Sequence, residues 1–440
     1  MADLEQPEAP QPEDAQSWQG DFDPFADEEE RRVLFAAFDS FRLYRRTAHL
    51  NTTHHRRQSF YALPSAHWQL LSEPPFSLLD TFNQVDDAID ANADIADEIL
   101  ATGLQSFGLS PDPDLDPNHD SQQSSWHGTA NSTDVGKAHS TIRQFYRDWS
   151  EEGRREREVC YDPVLAVLNQ SFGGDSSSRP RSDYRVLVPG AGLGRLVFDI
   201  CAAGYAAEGN EISYHQLLAS SWVLNHSRGA KQHALYPFAL HFSNIISRKQ
   251  QLQKIMIPDV HPASSMAQAQ NEDGSTSFGS MSMSAADFIP LYSGESQRHA
   301  FDAVATVFFI DTSPNLIRYI ETIKNCLKPG GLWINVGPLL WHFENEKRRT
   351  TAADQNGTED AMNEENALTL SGHHDGIGEP GNVELSEEEV FHLVRRMGFT
   401  IEAQQHPEER PYCGYIQDPE SMLQNLYRPS FWVARKNNTE

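Results

Sequence analysis

The sequence predicts an α/β chain, a doubly wound and mostly parallel sheet with an antiparallel finish, preceded by an N-terminal helical layer. Three observations carry this. From Tyr184 onward, short apolar segments alternate with segments of helical period, the order that βα units impose. The run Phe301–Ile310 contains VATVFFI, apolar but for Thr306, as suits a strand covered on both faces. Upstream, Leu34, Phe38 and Phe41, then Phe82, Val85 and Ile89, recur three and four positions apart, which places amphipathic helices over 31–105.

The elements follow in order. Residues 1–30, rich in Pro, Gln and acid, read as a disordered acidic tail. The helical region is expected over 31–108 and a flexible linker over 109–135, its Pro, Asp and Ser concentrated in 109–125. The α/β domain then fills 136–440, opening with two helices separated near Pro163. Strands are expected at Tyr184–Val188, Tyr205–Gly209, just before Asp287, Phe301–Ile310, Leu332–Val336, Phe399–Ala403 and Phe431–Ala434. Helices are expected from Leu193 and at Tyr214–Leu224, Leu316–Leu327 and Ser386–Met397. The last two strands have no helix between them, so they should run antiparallel. Segments 246–280 and 346–383 lack apolar periodicity and read as flexible insertions.

At 440 residues and 38% hydrophobic content, the chain can bury a large core. It contains no apolar run long enough to span a bilayer, and its acidic N-terminus does not resemble a secretory signal. Cys160, Cys201, Cys326 and Cys413 form no C-x-x-C pair, so neither a disulfide framework nor a metal site is suggested. A reducing compartment is expected, cytoplasmic and/or nuclear. The net charge of −28 is concentrated in residues 1–30, 81–120 and 351–390, which hold 11, 10 and 11 acidic residues and no Lys or Arg. Such blocks argue for solvated segments and against nucleic-acid binding by them.

The chemistry-bearing residues begin with VLVPGAGLGRL, where Gly190, Gly192 and Gly194 lie between a strand and a helix. Glycines there let the backbone turn and approach a ligand, as in dinucleotide-binding folds. A nicotinamide site expects Gly or Ala where this chain has Arg195, which weakens the dehydrogenase reading. Glu211 follows the next strand at the spacing where an acidic side chain meets ribose hydroxyls, a feature shared by NAD and S-adenosylmethionine; an exposed glutamate near a helix start is the plain alternative. Asp287 would end the third strand, its carboxylate accepting from an adenine amine with Phe288 against the ring, or would cap a helix. Asp311 ends the apolar strand, at the carboxyl end where open α/β sheets bind ligands; there too an N-cap reading, for the helix starting near Pro314, stays open. His342 lies beyond the next strand, beside Trp341 and Phe343, where a packed histidine is the ordinary expectation. Gln144, Arg147 and Glu151 share a helix face. Tyr415 and Tyr427, between the last two strands, say little by themselves.

VLVPGAGLGRL, GNEISYHQLLASSWVLNH, ATVFFIDTSPNLIRYIETI and LKPGGLWINVGPLLWHFEN together resemble the carnosine N-methyltransferase family, with HHRRQSFYALP extending the likeness into the N-terminal helices. The resemblance implies a Rossmann-like class I methyltransferase fold, a seven-stranded sheet with an antiparallel last strand. It implies S-adenosylmethionine as cofactor, held by Gln144, Arg147, Gly190, Gly192, Glu211, Asp287, Phe288 and the backbone near Val307. It further implies that Asp311, His342, Tyr415 and Tyr427 hold a histidine-containing dipeptide. Asp311 is the candidate catalytic carboxylate, since a carboxylate accepting the ring N–H fixes the tautomer and offsets the developing imidazolium charge, and no metal is expected. The implied reaction is methylation of the imidazole of carnosine to give anserine.

Rival readings keep the enzyme class but change the substrate to protein histidine or another small imidazole, or keep the fold as a non-catalytic cofactor-binding interaction protein. The expected partner is a small dipeptide, not nucleic acid or membrane, and a homodimer is left open.

Overall fold

The computed structural model describes residues 25–112, 125–173, 179–270, 276–343 and 382–438. Of the tail expected over 1–30, residues 1–24 lie outside the described residues, as do much of the 109–125 linker and nearly all of the 346–383 insertion, whereas Glu28–Glu30 are helical rather than disordered because Asp27 caps them.

The helical layer starts with α1 (Glu28–His49), where the Asp27 carboxylate accepts the N–H groups of Glu29 and Glu30 and three glutamates fill the first turn. Both features favour the positive end of a helix. A π-helical turn (Leu50–His54) leads into α2 (His55–Tyr61), followed by α3 (Ser65–Ser72) and α4 (Leu78–Ser106). Leu34, Phe38 and Phe41 of α1 and Val85 and Ile89 of α4 are buried in the same apolar cluster as Val186, Ala305 and Ile334 of the sheet. The layer and the sheet therefore share a core.

Three helices come next, not the two expected. They are α5 (Ser132–Trp149), with an Asn131–Asp134 capping box, α6 (Arg154–Cys160) and α7 (Asp162–Phe172), in which Pro163 occupies the first turn. The extra break comes at 150–153, where the chain doubles back so closely on α5 that a Cβ on Gly153 would lie 2.0 Å from the Tyr146 carbonyl oxygen. Glu151 consequently lies past the end of α5 and is exposed, apart from the buried Gln144 and Arg147.

The α/β part comprises β1 (Arg185–Pro189), α8 (Arg195–Ala202), β2 (Ala206–Glu211), α9 (Tyr214–Ser221), β3 (His233–Leu235), α10 (Arg248–Gln251), β4 (Ile255–Ile257), α11 (Pro262–Gln268) and β5 (Met281–Ala285). It continues with α12 (Phe288–Tyr292), β6 (Phe301–Val307), α13 (Leu316–Cys326), β7 (Leu327–Gly337), α14 (Glu387–Arg396), β8 (Phe399–Gln404) and β9 (Ser430–Lys436). The seven-stranded sheet has the order β5-β2-β1-β6-β7-β9-β8. The first five of these strands are parallel, while β9 runs antiparallel between β7 and β8. Reversal of order beside β1 puts the crevice at the carboxyl ends of β1 and β6, where open α/β sheets bind ligands.

Two differences from the sequence expectation have local causes. The strand expected to reach Ile310 stops at Val307, because Phe308 adopts a left-handed φ of 52° and Ile310–Thr312 forms a 3-10 turn. Within the expected 246–280 insertion, α10, β4 and α11 are formed, β4 pairing with β3. Gln251 is buried there by donating its side-chain amide to the carbonyls of Ala239 and His241 at 3.2 and 2.7 Å, a polar residue whose burial hydropathy does not reveal.

Candidate active site

The glycine turn after β1 has left-handed φ at Gly190 (67°) and Gly192 (55°), conformations that side-chain-bearing residues avoid. Space forbids a side chain as well. A Cβ on Gly190 would lie 2.7 Å from the Phe309 ring, and one on Gly192 would lie 2.9 Å from Gln144 Nε2. The turn is anchored by Glu211 at the end of β2. One carboxylate oxygen accepts the Gly192 N–H at 2.8 Å, and the other accepts those of Ile212 and Ser213, both at 2.9 Å. With 9% exposure, Glu211 is no ordinary surface glutamate. Burial pushes its pKa up and the three N–H groups oppose that shift. A carboxylate has about four acceptor sites, so room for a ligand hydroxyl remains.

Asp287 caps α12, its Oδ1 accepting the Ile289 N–H at 3.0 Å, so the capping reading describes what its side chain does here. Phe288 is buried edge-on to Phe309 and Tyr319, which stack on each other at 4.7 Å.

From α5, Gln144 donates to Asp148 Oδ2 at 3.0 Å and accepts from Gln216 at 2.8 Å. Asp148 in turn accepts the Tyr161 hydroxyl at 2.8 Å. Arg147 is 4% exposed, its guanidinium carbon 4.5 Å from the Tyr415 ring, 5.2 Å from Phe308 and 5.3 Å from Tyr161. Its Nε is buried without a hydrogen-bond partner among the described residues, and the nearest carboxylate oxygen, on Asp148, is 3.9 Å away. A buried guanidinium with a donor unsatisfied is suited to a planar anion such as a ligand carboxylate. Together with the glycine cradle, it fits the amino-acid end and the nucleoside end of S-adenosylmethionine.

Beyond β6, Asp311 is 2% exposed, and its Oδ2 accepts the Leu340 N–H at 2.9 Å. Burial raises its pKa to about 7, opposed by hydrogen bonds from the N–H groups of Leu340 and of Asp311 itself. It does not cap the following helix. Asn315 does, accepting the Ile317 N–H at 3.1 Å. The His342 N–H donates to the Asp311 carbonyl at 3.3 Å, and burial lowers the pKa of the His342 ring, which keeps it neutral at pH 7.

Tyr427 is paired with Cys413 by two backbone hydrogen bonds, of 2.9 and 2.8 Å, which close the chain between β8 and β9 over the crevice. Phe308 then gathers the aromatic wall, with Tyr415 at 5.3 Å and Tyr427 at 5.8 Å between ring centroids. Burial and the neighbouring charge of Asp311 both raise the Tyr427 pKa. Of the four residues expected around a dipeptide, Tyr415 and Tyr427 meet at Phe308 and Tyr427 lies near Asp311, while His342 is tied to Asp311 through its backbone. Two that sequence reasoning missed stand among the site residues, Phe308 and Asp148. The only signal for Phe308 was its place in VFFID, at the end of an apolar strand.

The carnosine N-methyltransferase family model matches residues 124–438, which include every strand of the seven-stranded sheet. The chain belongs to the carnosine N-methyltransferase family. Among its members, the carnosine N-methyltransferase of Schizosaccharomyces pombe is 37% identical over 410 residues, covering 93% of this chain and 97% of that one. That of Mus musculus is 32% identical over 407 residues, covering 92% and 86%. Solved structures with a likeness include a SAM-dependent methyltransferase from Methanosarcina mazei, 17% identical with a TM-score of 0.32, covering 58% of this chain and 93% of that one. The strand order given above, not that likeness, carries the fold of this family member.

Proposed function

We propose that the chain transfers a methyl group from S-adenosylmethionine to an imidazole nitrogen of carnosine, giving anserine. The observation that carries this reading is Asp311, a carboxylate buried at the end of β6 and near the aromatic wall of Tyr427 and Phe308. The cofactor supplies a methyl group made electrophilic by its sulfonium.

The chain's residues bind and orient. Gly190 and Gly192 admit the nucleoside to the backbone, Glu211 accepts from ribose, and Arg147 pairs with the methionyl carboxylate. Gln144, Asp287, Phe288 and the backbone near Val307 complete that side. His342, Tyr415 and Tyr427 enclose the dipeptide. Asp311 accepts the N–H of the protonated imidazole nitrogen, fixing the tautomer and leaving the other nitrogen's lone pair to take the methyl group. Imidazole, with a reference pKa of about 6.5, is largely neutral at pH 7, so no strong base is needed. As positive charge develops on the ring, the Asp311 carboxylate offsets it from a fixed position in a water-poor site.

Mass analysis after incubation with methyl-labelled S-adenosylmethionine tests this. One labelled methyl group on the imidazole of carnosine is expected. Label appearing only on protein histidine, with carnosine and histidine-containing proteins supplied together, would favour the rival substrate.

A further inference from the structure

The turn that carries Tyr415 is built around a buried carboxylate. Glu156, on α6, accepts the Ile416 N–H on one oxygen and the Gln417 N–H on the other, both at 2.8 Å. On the opposite side of the same residue, Arg143 of α5 donates to the Ile416 carbonyl at 2.9 Å. Two charged side chains therefore grip Ile416, which adopts a left-handed φ of 56° that a β-branched residue avoids. Gly414 has no room for a side chain, since a Cβ there would lie 2.7 Å from a Glu156 oxygen and 2.4 Å from Gln417. Tyr415 sits between these clamped residues, its ring on Phe308 and on the Arg147 guanidinium, yet 36% exposed. On a strained turn, the position of this ring depends on what holds the backbone.

Glu156 has no other assignment. It makes no ion pair among the described residues, and burial works against its ionisation while the charge of Arg147 and the two N–H groups favour it. Such an arrangement persists where the surroundings over-determine a strained backbone, as at ligand-binding sites.

We infer that Glu156 is a positioning residue for the dipeptide site, acting through the Gly414–Gln417 turn to hold Tyr415 against Phe308 and Arg147. The inference rests on the proposed function for its kinetic consequence, but the clamp itself does not.

The test is Glu156→Gln, which keeps the size and turns one acceptor into a donor facing a backbone N–H. Three quantities are measured on the full chain beside wild type: amide hydrogen exchange over 411–428, KM and kcat for carnosine, and affinity for S-adenosylhomocysteine. Expected are faster exchange in that segment, a rise in KM of about tenfold or more, the scale of a lost hydrogen bond to a charged group, and a smaller change in kcat. Affinity for S-adenosylhomocysteine should change by less than KM does. Glu156→Asp retains the charge and should recover part of the KM. Unchanged exchange and unchanged KM would overturn the inference. So would a parallel loss of dipeptide and cofactor binding with faster exchange throughout the chain, the mark of a merely structural role. If wild-type protein does not methylate carnosine, the functional reading fails, and the exchange comparison still decides whether Glu156 holds the turn.

Discussion

The Leu340 N–H donates to Asp311 Oδ2 at 2.9 Å, tying the segment after β7 to the carboxylate at the end of β6. Hydrogen bonds from the backbone N–H groups of Leu340 and of Asp311 itself do not compensate for the burial of a carboxylate at 2% exposure, and the Asp311 pKa accordingly rises to about 7 from 3.8. Asp311 is therefore held near the midpoint of its titration at neutral pH.

That position makes activity pH-dependent in a defined direction. The active combination is ionised Asp311 with neutral imidazole, so kcat/KM for carnosine should rise with pH and level off above about 7, with a limiting slope of two on the acid side. Asp311→Asn should show a slope of one, from the substrate alone. Stability runs the other way. The folded state holds this proton more tightly than the unfolded state, so the contribution of Asp311 is greatest below the unfolded value of 3.8 and is lost as pH rises through about 7. A wild-type slope of one would remove Asp311 from the titration.

Arg147 makes a prediction about which part of the cofactor it holds. Arg147→Lys keeps a charge but loses the planar fork. S-adenosylhomocysteine should bind about tenfold to a hundredfold more weakly to this variant, while 5′-methylthioadenosine, which lacks the carboxylate, should bind much as before. Isothermal titration with both ligands measures this, and equal losses for the two would place Arg147 elsewhere.

For Glu211 the structure changes what a substitution should do. Its carboxylate serves three backbone N–H groups as well as the proposed ribose, so Glu211→Ala should weaken cofactor binding and also lower stability by about 1–3 kcal/mol or more. Paired titration and thermal melts check both. A variant with full cofactor affinity would return Glu211 to a purely structural role in the glycine turn.

These residues also show what the sequence could reveal. The glycine turn and Glu211 were legible because a short local spacing sets their geometry. Asp311 was ambiguous because an Asp-Thr pair before a helix suits a cap, and only the structure gives that role to Asn315. The aromatic wall was not legible. Phe308 joins it through a left-handed backbone that no periodicity announces, Tyr415 comes from a turn whose N–H groups donate to Glu156 on a distant helix, and Tyr427 is placed by its bridge to Cys413. Glu151 was grouped with Arg147 by helical spacing, but α5 ends at Trp149 and Glu151 falls outside it.

The most direct measurement is turnover of carnosine by Asp311→Asn, with binding of S-adenosylhomocysteine measured on the same preparation. The Asn amide oxygen can still accept the Leu340 N–H, so the local fold is retained, but the side chain cannot offset positive charge on the ring. The account predicts a fall in turnover of about two to three powers of ten, with S-adenosylhomocysteine affinity near that of wild type. Wild-type turnover in this variant would contradict it, leaving Asp311 an anchor for the segment after β7 and the proposed chemistry without its carboxylate.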